Sequence, residues 1–209
     1  MPRAAEPASA KSSRSESVAD IPLVPLNTVL FPGGPLPLRI FEPRYIDMVK
    51  YCMRQRAPFG VVLIRAGAES GAVSTTADVG TSARIVDFNQ MPDGLLGLSC
   101  LGERKFRVAS RRVQSDGLNM GTVEWCREET ATDVPSEYAH LSLLLRKVLP
   151  ELGDMYQSVP KHFNDAGWVS ARLAEILPIN LAEKQYCLEL DDAVGRLARL
   201  SPFIRRVEE

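Results

Sequence analysis

Histidine is scarce in this chain, two among 209 residues, and neither has a partner suited to nucleophilic chemistry. His140 lies in a leucine-rich run and His162 in a polar stretch beside Lys161. Gly-x-Ser-x-Gly is absent, so no nucleophile elbow presents a serine to either imidazole. The four cysteines, Cys52, Cys100, Cys126 and Cys187, form no CxxC pair. With so few histidines they give no metal-ligand spacing, and no metal site is predicted. Each cysteine sits in an apolar run, which predicts buried free thiols in a reducing compartment. GxxxxGK[ST] is also absent. Gly33-Gly34 runs into Pro35, which lacks the N–H a phosphate cradle needs. No catalytic residue and no cofactor are predicted.

Charge and hydropathy exclude more. Lys and Arg number 25 against 26 Asp and Glu, a net charge of -1, which argues against a general polyanion binder. The longest apolar runs, such as 141–145, are far too short to cross a bilayer, so no membrane contact is expected. Arg3, Lys11 and Arg14 precede no apolar h-region, so the N-terminus does not read as a secretory signal, and a cytoplasmic protein is expected. Hydrophobic residues are 45% of the chain, enough for a substantial core. Residues 1–19 are Ala, Ser, Pro and charge and predict a disordered arm.

The stretch 21–65 organises the rest of the chain. Pro22, Pro25, Pro32, Pro35, Pro37 and Pro43 rule out a long helix before 43. Short apolar runs at 21–26, 29–31 and 36–41 predict short strands and stiff connectors, in the order strand, proline-stiffened loop, strand. Pro43 suits a first helical turn, and Tyr45, Met48, Val49 and Cys52 then share one helical face. Ala57-Pro58 stops that helix, and 59–64 predicts a buried strand. Residues 66–78 predict a loop, with Val73 its one buried candidate. Residues 79–89 and 95–101 predict a hairpin about Met91-Pro92-Asp93-Gly94, where proline presets φ and Asp-Gly tolerates a positive one. A second hairpin joins 104–113 to 117–125. A polar linker at 127–135 leads to helical periodicity. Asp133 is expected to cap a helix to 149, and 152–157 predicts a short helical piece. Asn164 or Asp165 is expected to cap a helix to 177, with further helices over 182–190 and 192–200.

The predicted fold is α+β. A bent antiparallel, barrel-like β subdomain over 20–127 precedes a helical bundle over 128–209.

The run PLNTVLFPGGPLPLRIFEPRY resembles the start of the N-terminal substrate-binding domain of Lon proteases. Val79-Gly80-Thr81, Ile85-Val86-Asp87, Pro92-Asp93-Gly94, Gly102 to Arg107, Trp168, Leu173-Ala174-Glu175 and Glu183-Lys184-Gln185 agree in order. Gln114-Ser115-Asp116-Gly117 is similar to the related part of cereblon. Such domains also occur alone in small bacterial proteins. The resemblance covers 20–205 and implies the substrate-binding part alone, since the phosphate loop of the Lon ATPase and the length for its Ser-Lys protease are missing. It implies non-catalytic recognition of unfolded or extended polypeptides or of a protein partner. Its β part is PUA-like, which makes RNA binding the alternative; self-association, as in a homodimer, is a third reading.

For a polypeptide ligand the sequence offers residues 30–44. Phe31, Pro32, Gly33 and Leu36 lie in an apolar, proline-stiffened loop where a plain turn would be polar. Phe31 is expected to be partly exposed and Phe41 to be core. Arg39, Glu42 and Arg44 mark a strand-to-helix junction, either as an internal ion pair or as an anchor for a ligand's backbone or terminus. The basic run Arg104, Lys105, Arg107, Arg111 and Arg112 is expected to form a solvated strand face, with nucleic acid as the other possibility.

Overall fold

Proline placement and apolar spacing produce the elements in chain order. The computed structural model describes residues 18–69, 75–157 and 159–205, with the backbone alone for Arg205. Strands β1 (Val18–Leu26) and β2 (Pro35–Ile40) precede helix α1 (Pro43–Gln55). Strands β3 (Phe59–Ala66), β4 (Thr75–Gln90), β5 (Leu96–Val113) and β6 (Asn119–Trp125) come next. Helices α2 (Ala139–Val148), α3 (Ala166–Ile176), α4 (Leu181–Glu189) and α5 (Ala193–Arg205) complete the described residues, with 3-10 segments at Ser136–Tyr138 and Leu149–Tyr156. The class is α+β, as the sequence predicts.

The strands close into a ring. β1 pairs with β3 and β6, β3 with β4, β4 with β5, and β5 with β6. The expectation of purely antiparallel pairing is corrected at one seam, because β1 and β3 run parallel, Leu23 opposite Gly60. The connection between them carries β2 and the whole of α1, long enough for the crossover a parallel pair requires. β2 stands outside the ring, paired with the first half of β5 from Pro35 opposite Leu101 to Ile40 opposite Leu96.

β4 outruns its neighbour. Its Ala83 pairs with Phe59, the first residue of β3, and residues 84–90 pair with β5 alone. At the tip, Gly94 adopts φ 82 and its N–H donates to Met91 O at 2.9 Å, the predicted turn.

Among the described residues, three apolar clusters hold this architecture. Ile21, Leu23, Val62, Phe106, Val108 and Val123 fill the ring. α1 lays its stripe of Tyr45, Met48, Val49 and Cys52 against Leu36, Ile40, Leu98 and Cys100. The largest cluster joins the two halves: Val29, Phe31, Leu63, Ala77 and Val79 pack with Leu141, Leu145, Leu173 and Leu197.

Residues 29–31 belong to the expected connector between two strands, their carbonyls bonding outside any ladder: Leu30 O accepts Thr81 Oγ1 at 2.5 Å and Phe31 O accepts Gly34 N–H at 3.0 Å. Several local expectations change. Within the predicted loop 66–78, Ala66 belongs to β3 and 75–78 to β4, whereas Val73 lies outside the described residues. Of the predicted arm, 1–17 lie outside the described residues, and Val18 and Ala19 pair with Glu124 and Val123. Asp133 does not cap α2. It bridges to Asp165, and the helical chain begins only after Pro135, which holds Val134 out of the helical region. Asp165 caps α3 as predicted, accepting Trp168 N at 2.6 Å. α5 continues past Leu200 to Arg205 with Pro202 in its last turns.

Candidate functional site

Within the loop expected to contact a ligand, the large apolar side chains point inward while Pro32 stays exposed. Phe31 is 1% exposed and Leu36 is buried, whereas Phe41 is 59% exposed. The expected roles of the two phenylalanines are therefore reversed. Strand alternation sends Ile40 into the core and Phe41 outward, while Phe31 enters the space under the helices.

Gly33-Gly34 rests on a buried ion pair. Arg172 donates to both Glu175 oxygens, at 2.7 Å through Nε and 2.6 Å through Nη2, and Nη2 also reaches Pro32 O at 2.9 Å. Burial pushes the Glu175 carboxyl above its usual range, and the Arg172 guanidinium opposes that shift. Tyr156 donates its hydroxyl to Glu175 at 3.1 Å, and burial, with that carboxylate beside it, raises the phenol. A Cβ on Gly34 would stand 2.0 Å from Glu175 Oε1 and 3.0 Å from Phe31 O, so a side chain there must displace the buried Glu175 carboxylate. Gly33 takes φ 72 and bonds Gly102 O at 2.8 Å. Among these residues Pro32 keeps an exposed side chain.

Arg39, Glu42 and Arg44 do not converge. Arg39 reaches the Asp93 carboxylate at the hairpin tip. Arg44 pairs with Glu42 at 2.7 Å, donates to Gly117 O at 2.8 Å and lies 4.8 Å over the Tyr45 ring. That pair fixes the entry to α1.

The basic run is largely committed within the chain. Lys105 is buried, not solvated as expected. It donates to Leu188 O, Leu190 O and Asp191 at 3.2, 3.3 and 2.5 Å, because β5 runs beneath the α4–α5 junction. Arg111 pairs with Asp78 at 2.8 Å, and Arg112 with Asp20. Arg107 stays exposed.

Two hollows remain. One, of about 260 Å³, lies where the strands meet the helices, with Phe31, Pro32 and Trp168 on one side and Arg127, Glu128 and Cys126 on another. Arg196 at its wall is buried against Glu129 at 2.6 Å. Cys126 is half-buried, unlike the other three thiols.

The second hollow is a groove of about 350 Å³ between the C-terminal end of α1 and β4. Met53, Arg56 and Ala57 form one wall and residues 84–88 the other. Val86 is 49% and Phe88 54% exposed, and Met53 is exposed beside them. Arg56 closes α1 in the left-handed region at φ 52, turning the chain toward β3 and opening the gap beside β4. The sequence reading missed these residues. The signal available was length: the β4 pattern runs well past the point where the β3 pattern begins.

The family model for the ATP-dependent protease La (LON) substrate-binding domain matches residues 20–206. The chain is similar to the Lon N-terminal domain protein from Xanthomonas campestris at 36% identity, with TM-score 0.74, covering 88% of this chain and 98% of that one. It is similar to the Lon protease of Anaeromyxobacter dehalogenans at 27% identity over 94% of this chain and 24% of the relative. Protein cereblon of Danio rerio is 29% identical over 56% of this chain and 28% of that protein. The chain thus spans about a quarter of the length of the Lon protease and the cereblon it matches.

Proposed function

Because the chain belongs to the LON substrate-binding domain family, we propose that it recognises extended or unfolded polypeptides and does not cleave them. The groove between α1 and β4 carries this reading. Met53, Val86 and Phe88 stand exposed around one concavity. Apolar side chains left in water favour a ligand whose own apolar groups also lack cover. An unfolded segment has such groups on its surface, and a folded protein has buried most of them. The similarity to Lon proteases, of which the chain matches one part, supports an accessory role in which a client is held for a separate protease. The free thiols suit the reducing cytoplasm.

The test is fluorescence anisotropy with labelled, reduced and carboxymethylated α-lactalbumin, compared with the native disulfide-bonded form. Binding of the unfolded form alone, weakened by Phe88→Glu, is the expected result. No binding of the unfolded form, together with a salt-steep affinity for single-stranded RNA, would replace this reading with the nucleic-acid one.

A further inference from the structure

We infer that the groove takes its ligand by strand addition: an extended peptide segment pairs with the open edge of β4 over residues 84–90. This mode rests on the polypeptide-recognition reading and makes it specific. The geometry of β3 supplies the vacancy. β3 begins at Phe59 opposite Ala83, and beyond that point β4 pairs with β5 alone, with the groove along residues 84–88 on its other side. A bound strand would occupy the line β3 would have taken had it started earlier.

Backbone polarity at this edge fits that occupant. Met91 N–H donates to Leu95 O at 2.8 Å, toward β5. Counting back by twos, the N–H groups of Asn89 and Asp87 also face β5, and those of Phe88 and Gln90 face away; the register shifts between Ile85 and Asp87, so this alternation holds for 87–91 and a bulge at Val86 bends the edge beyond it. Phe88 N–H donates to the Asp87 carboxylate at 2.8 Å, a contact that covers one edge amide in the absence of a strand. The opposite edge of this sheet, β2, carries Pro35 and Pro37, which lack N–H donors and blunt it against pairing. No proline interrupts 84–90.

Side chains define the rest of the ligand. Met53, Val86 and Phe88 offer apolar cover to alternate residues of an added strand. Arg56 lines the same groove and has no carboxylate partner among the described residues, whereas Arg84 is held by Glu103 at 2.6 Å. The favoured segment is extended, apolar at alternate positions, and carries an acidic residue within reach of Arg56.

The probe is a labelled octapeptide of alternating valine and threonine with one central glutamate, measured by anisotropy. Two derivatives carry N-methyl groups on one or the other alternate set of amides. One set should lose about tenfold or more in affinity and the other about twofold or less, since only one set faces the β4 edge. Phe88→Glu should weaken the parent peptide similarly. Equal effects of the two sets would overturn strand addition while leaving polypeptide recognition intact. So would failure of the peptide to bind a protein that still captures carboxymethylated α-lactalbumin. Failure of both ligands would remove the broader reading as well. A dimer in analytical ultracentrifugation that Phe88→Glu dissociates would assign the edge to a second copy of the chain and overturn the proposal.

Discussion

Replacing Phe31 by alanine tests whether the Pro-Gly-Gly stretch is scaffold. The ring is 1% exposed and packs in the cluster that joins Val29, Leu63 and Val79 to the leucines of α2, α3 and α5. Removing a buried phenylalanine costs about 3–5 kcal/mol, the lost burial plus the cavity left behind. Total stability for such a domain is about 5–15 kcal/mol, so the variant should stay folded but with a large share of its margin gone. With a urea dependence of about 2–3 kcal/mol per molar, the midpoint should fall by about 1–2.5 M. Phe41→Ala is the control. At 59% exposure it should change stability by about 0.5 kcal/mol or less. Equilibrium urea denaturation monitored by tryptophan fluorescence measures both. A midpoint for Phe31→Ala equal to wild type, or a Phe41→Ala loss as large as the Phe31 one, would refute a scaffold role for the loop.

The same contacts have other consequences. Gly34→Ala should destabilise by about 3 kcal/mol or more in urea denaturation, since its Cβ would fall 2.0 Å from Glu175 Oε1 and break a buried pair. Arg44→Ala should cost about 1–3 kcal/mol, losing a half-buried pair with Glu42 and the bond to Gly117 O, whereas Arg39→Ala, exposed beside Asp93, should cost about 1 kcal/mol or less. Burial pushes Cys100 from its ordinary 9.0 up to about 12 and Cys52 to about 11. Both folded values lie above the unfolded one, so their contribution is complete below pH 9.0 and is lost as pH rises through about 11 and about 12. Urea midpoints at pH 8 and 10.5 should therefore diverge more in wild type than in Cys100→Val.

Local chemistry was the legible part of this fold. Pro43 and the spacing of Tyr45, Met48, Val49 and Cys52 gave α1 and its buried face. Met91 to Gly94 gave the hairpin tip, and Asp165 gave the cap of α3. Long-range partners decided what was misread. Phe31 is buried by residues such as Leu141 and Leu173, more than a hundred positions away, and nothing in its own neighbourhood announces them. Pro32 O likewise meets Arg172 across 140 positions. Lys105 looks like one cation of a solvated strand until the carbonyls of Leu188 and Leu190 close over it. The parallel seam of β1 with β3 depends on where α1 packs, which strand patterns alone do not encode. The candidate groove was missed, although Val86 and Phe88 alternate with polar Asp87 and Asn89 in a strand longer than its partner.

Backbone amide NMR during titration with carboxymethylated α-lactalbumin tests peptide capture at the β4 edge most directly. Shifts or broadening should concentrate at residues 84–90 of β4 and at Met53, Arg56 and Ala57, with the amides of Gln90 and Phe88 most affected. Perturbations centred instead on Pro32, Arg127 and Trp168, with the β4 edge unchanged, would contradict it.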